Sequence, residues 1–215
     1  MGKQKKKKHN KKRNSIMGRS DIPFAERLKM QQHSDIISQR NYSAQIAMFC
    51  QCVALNELEH VGYKRLTKFS VSFKYLLDEM YEDIEVGMAH AKTRLAKHGI
   101  NISGELYAVD MPGASKKDQQ LYDHGIQAAQ IAQIVGTVTM NDEFGFGEVR
   151  LKRVLERAAE LSARYAKEGE GFLYEKLEKI GFPIIDGKII AFMDDNGNPV
   201  PPKRAIEEGY LDAVT

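Results

Sequence analysis

Ala44-Gln45-Ile46-Ala47 opens a stretch running to Leu76, and Ala129-Gln130-Ile131-Ala132 opens a second one running to Leu161. A constant offset of 85 lays one on the other without a gap, and ten of the 33 positions are identical. Beyond the opening four, Val53, Asn56, Gly62, Arg65, Leu66 and Leu76 meet Val138, Asn141, Gly147, Arg150, Leu151 and Leu161. The match resumes, after a small length change, between Leu95–Gly99 and Leu177–Gly181. It reaches two alternating segments, Ile100 to Val109 and Phe182 to Phe192. A repeat on this scale sets the architecture before any local pattern does. The expected fold class is mainly α with two small β-hairpins (α+β), a tandem pseudo-symmetric duplication of a helical-hairpin plus β-hairpin module.

Working outward, Ile46, Phe49, Val53 and Glu57 fall on one helical stripe, and Ile131, Ile134, Val135 and Val138 form its counterpart. The first repeated helix is expected from about Ser43 to Leu58, after earlier start signals at Ser20-Asp21 and Ser34-Asp35. The second is expected to begin near Ser115. Glu59-His60-Val61-Gly62 and Phe144-Gly145-Phe146-Gly147 follow as turns, since glycine ends a helix cheaply. Leu66, Phe69, Phe73, Leu76 and Met80 then make an apolar stripe, matched by Leu151, Val154, Ala158, Leu161 and Tyr165. Each module thus reads as a helical hairpin with facing apolar stripes. Ser103-Gly104 and Asp186-Gly187 sit where two-residue hairpin loops are expected. The turn-rich Asn196–Pro202 region and a short helix at Lys203 to Leu211 close the chain. The division is a disordered basic tail (1–19), module 1 (20–113) and module 2 with its C-terminal extension (114–215).

Charge is unevenly placed. The formal net charge is +3, from 32 basic and 29 acidic residues. Residues 1–19 hold nine of those bases and no acid, so the body carries 23 bases against 29 acids, a balance of −6. The tail, with Lys5, Lys6, Lys7, Lys8, Lys11, Lys12 and Arg13, attracts polyanions, nucleic acid first. A solubilising tail or a nuclear-import address would read alike. Only two cysteines occur, Cys50 and Cys52, too close for an ordinary disulfide, which points to a reducing compartment. With no apolar segment behind the basic start and no run long enough to span a bilayer, the expected location is cytoplasmic, without membrane contact.

The sharpest candidates flank the turns. Lys64, Arg65, Lys68 and Lys74 in one copy stand against Arg150, Lys152, Arg153 and Arg157 in the other, largely opposite the apolar stripe. Such a face contacts a nucleic-acid backbone or is simply the solvated side of an amphipathic helix. Gly145-Phe146-Gly147 is similar to a helix-hairpin-helix element, in which a glycine-apolar-glycine turn presents backbone N–H groups to a DNA phosphate. The first copy departs from it at His60, and Leu66 and Leu151 are larger than that element prefers. Cys50 and Cys52 point apart on a helix, the histidines lack ligand spacing, and Asp194-Asp195-Asn196-Gly197 reads as a turn, so no metal, cofactor or catalytic set is assigned.

Leu55-Asn56-Glu57 to Leu66 and Met140-Asn141-Asp142 to Arg153 together resemble a motif of small, mostly uncharacterised phage and mobile-element proteins of Gram-positive bacteria. The pattern there is Leu-Asn, a few polar residues, Phe-Gly-Phe-Gly, then Arg-Leu and a basic helix. The resemblance implies a phage or mobile-element setting, and a single-copy relative that would dimerise. The chain would be a monomer with an internal pseudo-two-fold, or a weak homo-oligomer. Two functions are expected: a non-catalytic nucleic-acid-binding accessory protein, on DNA or RNA, or a protein-interaction module acting on a host or phage protein.

Overall fold

The computed structural model describes residues 24–101, 113–185, 188–189, 192–193 and 199–200. Among these, six helices succeed one another: α1 (Phe24–Glu59), α2 (Tyr63–Glu82), α3 (Ile84–Ala96), α4 (Lys116–Phe144), α5 (Glu148–Glu168) and α6 (Glu170–Ile180). The order is long, medium, short, and then the same again.

Local chemistry explains most of the boundaries. Ser115 caps α4, its Oγ accepting the backbone N–H of Asp118 at 3.2 Å. Asp83 separates α2 from α3 by accepting the N–H groups of Glu85 and Val86. The expected start at Ser34-Asp35 is not used, and α1 is one continuous helix. There the Asp35 carboxylate takes side-chain donors, Gln31 Nε2 at 2.7 Å and Lys117 Nζ at 3.0 Å, instead of capping backbone.

The two turns repeat atom by atom. Asn56 Nδ2 donates to the Val61 carbonyl at 3.1 Å, and Asn141 Nδ2 donates to the Phe146 carbonyl at 3.0 Å. His60 and Gly145, the matched residues that end α1 and α4, are both left-handed, with φ of 53° and 64°. Gly62 and Gly147 then stand as the N-caps of α2 and α5, with φ/ψ of −82°/170° and −80°/176°. The later junctions match as well: Ile100 N–H returns to Leu95 O, and Phe182 N–H to Leu177 O, both at 3.0 Å.

Packing departs from the expected pair of closed hairpins. α1 and α4 run parallel and in register, so that a residue of α1 faces the one about 85 positions later. Asp35 meets Lys117, Gln39 and Ser43 lie beside Gly125, and Gln51 reaches Ala132 and Gly136. α2 crosses to pack on α4, and α5 crosses to pack on α1, while each makes little contact with the long helix of its own copy. Every residue from Phe49 to Leu55, and from Ile134 to Met140, is therefore buried. A helix covered on all sides belongs at the centre of a fold. The apolar residues of both copies make one core, in which Phe69 of α2 stacks on Phe144 of α4 with centroids 6.1 Å apart. At the opposite end, the Tyr42 hydroxyl donates to Glu170 Oε1 at 2.6 Å and ties α1 to α6.

The α+β expectation is overturned, and the fold is mainly α. Extended pairing among the described residues is confined to two antiparallel pairs of two-residue strands: β1 (Ile184–Ile185) with β2 (Lys188–Ile189), and β3 (Phe192–Met193) with β4 (Pro199–Val200). Stretches so short build no β layer, and six helices already close the core. The first expected hairpin, Ile100 to Val109, lies mostly outside the described residues. The basic tail and the helix expected at Lys203 to Leu211 lie outside them too.

A left-handed residue with a Cβ costs about 1 kcal/mol, which His60 bears and Gly145 avoids. His60→Gly should therefore stabilise the protein by about 1 kcal/mol, and Gly145→Ala should destabilise it by a similar amount, in urea titrations followed by circular dichroism. A destabilising His60→Gly would contradict the turn geometry.

Candidate nucleic-acid interface

Because α1 and α4 are parallel, both turns lie at one end of the molecule, and α2 and α5 both start there. Lys64, Arg65, Lys68, Arg150, Lys152 and Arg153 consequently share that end, and all six are exposed. They do not share an electrostatic situation.

The second copy is neutralised. Arg150 Nε donates to Glu59 Oε2 at 3.0 Å, and Arg153 grips the other oxygen of the same carboxylate. The Arg150 guanidinium also lies over the Phe146 ring, 3.8 Å from its centroid. The Glu59 side chain is only 6% exposed, so its charge is answered within the fold. The Arg150 hydrogen bond lowers the Glu59 carboxyl below the ordinary glutamate range, burial opposes this, and Arg153 adds to it. Lys152 stands 4.0 Å from Glu156, and Glu148 occupies the first turn of α5.

The first copy is open. Gly62 caps α2 without any side-chain hydrogen bond, and the first turn of the helix holds no acid. Lys64 and Lys68 form no ion pair among the described residues, nor does Arg65, whose guanidinium rests on the Phe144 ring at 4.8 Å. Phe144 is the counterpart of Glu59. The matched arginines thus lie on matched residues of the opposite copy, one on a carboxylate and the other on a ring.

Sequence reading missed the ion pairs that join the copies. Glu57 takes Arg157 at 2.8 Å and also Lys176, while its counterpart Asp142 takes Arg94. An acid at 57 and 142 and a base at 94 and 176 were the signal, visible once both offsets are applied. Burial opposes ionisation of Glu57, but the Lys176 and Arg157 hydrogen bonds outweigh it and hold the carboxyl low.

A second feature is a groove of about 630 Å³ left between α1 and α2 by their separation. Met48, Phe49, Phe73, Leu77, Leu177 and Phe182 line it, and Tyr75, 73% exposed, stands at its rim. Cys52 reaches its wall, but burial pushes both cysteine thiols up to about 12, which leaves them unreactive. Among the described residues no group of three or more His, Cys, Asp or Glu is placed to hold a metal ion, and no helix is long and apolar enough to cross a membrane.

A carboxyl held low contributes stability that is present above its ordinary pKa and lost as pH falls through the depressed value. Glu59→Gln should lower stability at pH 7 by about 1 kcal/mol, a modest figure because its arginine partners are about half exposed. That deficit should shrink as urea midpoints are followed below pH 4.5, the ordinary glutamate value. A deficit constant from pH 7 to 3 would show that the pair contributes nothing. No family model, curated protein or solved structure matches the chain.

Proposed function

We propose that the protein is a non-catalytic nucleic-acid-binding accessory protein that receives a backbone phosphate at the start of α2. One observation carries this reading: Lys64, Arg65 and Lys68 crowd the positive end of a helix that has no acid in its first turn and no side-chain cap. Cations there repel the helix dipole, an arrangement that a bound anion relieves. The copy supports the reading by contrast, since its corresponding bases are neutralised by Glu59 and accompanied by Glu148. Lys5, Lys6, Lys7, Lys8, Lys11, Lys12 and Arg13 add affinity that weakens with salt. The motif around Asn56 and Asn141 supports a phage or mobile-element setting, with the protein at work in the host cytoplasm.

The α1–α2 groove favours a second reading, in which the protein is an interaction module. Its walls suit an amphipathic helix of a host or phage protein, with apolar anchors one turn apart.

Duplex and single-stranded DNA and RNA, titrated at two salt concentrations, distinguish the two. Lys64→Ala, Arg65→Ala and Lys68→Ala together should weaken binding about tenfold or more near 0.1 M salt and flatten the salt dependence by up to about three ions. Arg150→Ala with Arg153→Ala should change affinity little and stability more. Binding unaffected by the α2 triple variant would refute the proposed site, and no binding by the full chain would leave the groove reading.

A further inference from the structure

Positions 51 and 136 are the same position in the two copies, and they meet across the α1–α4 seam. One holds a glutamine only 1% exposed, and the other a glycine. Gln51 Nε2 donates to the Ala132 carbonyl at 3.2 Å, while Oε1 has no hydrogen-bond partner among the described residues. A buried carbonyl left so carries a desolvation cost that an apolar side chain of similar size would avoid. A Cβ on Gly136 would fall inside the Gln51 amide. That amide ends a side chain only 1% exposed, so a Cβ at position 136 must displace it within the packed seam.

Two first copies set face to face would bring Gln51 onto Gln51, with both amides claiming one space. Two second copies would set Gly136 against Gly136 and leave that space unfilled. Only unlike copies fit. We infer that Gln51 and Gly136 form a knob and socket at the pseudo-two-fold axis, making the seam an interface that accepts the unlike copy and rejects a like one. A single buried polar residue fixing partner choice at some cost in stability is a known device of parallel helix pairs.

Four full-length proteins test it, because each like pairing can be built inside the chain. Gly136→Gln reproduces glutamine against glutamine, and Gln51→Gly reproduces glycine against glycine. The exchange, Gln51→Gly with Gly136→Gln, restores an unlike pair with its members reversed. It has the wild-type composition, so helix propensity cancels. The expected result is that both like pairs melt at least about 5 °C below wild type and the exchange recovers most of the loss. Failure of Gly136→Gln to fold is the same result in stronger form, provided that the exchange folds. An exchange no more stable than Gly136→Gln overturns the proposal. A gentler pair of variants probes the same fit: Gly136→Ala should lower the melting temperature in wild type and raise it in Gln51→Ala, where alanine's helix propensity is felt without the clash. A loss of equal size in both backgrounds overturns it.

Discussion

The close parallel approach of α1 and α4 is the constraint from which the rest of the structure follows. Gly125, Ala132 and Gly136 recur on α4 at helical spacing and lie against Gln39, Ser43 and Gln51 of α1. With so little side chain in the seam, the backbones come near enough for Gln51 to reach a main-chain carbonyl of the other helix. Parallel helices end together, so the turns at His60 and Gly145 are neighbours, and each chain segment leaving a turn finds the other copy's long helix beside it. That is why α2 lies on α4 and α5 on α1. Neither copy holds a core of its own.

This interlocking gives the charged residues their roles. Glu57, Glu59 and Asp142 sit at the ends of the central pair, and each is met by bases from the opposite copy. The ion pairs fasten crossing helices, and this occupies Arg150, Arg153 and Arg157. At the matched place in the second copy, Phe144 stands where the first copy has Glu59, and the first copy's bases beside it form no ion pair among the described residues. A duplicated scaffold has thus become unequal at one end, and the inequality locates the candidate interface.

Much of this was legible in the residues. Stripes such as Leu66–Phe69–Phe73 and Leu151–Val154–Ala158 are buried as their spacing implies, and the Asn56 and Asn141 amides close the turns they precede. What could not be read was partnership. An apolar stripe states which face is covered and is silent about what covers it, so two facing stripes in one hairpin looked sufficient. The signal for exchange lay in what the stripes omit: Cys50 to Leu55 and Val135 to Met140 offer no charged face, which a helix in a two-helix hairpin would need. The alternation at Phe182 to Phe192 yields only two-residue pairing among the described residues, because period-two patterning marks local pairing without saying that any sheet is built on it. The ion pair of Arg150 could not be read from the sequence, because its partner, Glu59, belongs to the other copy and is 91 residues away.

The crossing of α2 onto α4 is tested most directly by through-space proton contacts between aromatic rings in the intact protein. Phe69 and Phe144 should give strong nuclear Overhauser cross-peaks, as their centroids 6.1 Å apart require. If Phe69 instead showed contacts to α1 alone, each hairpin would be closed on itself, and the interlocked arrangement would be wrong.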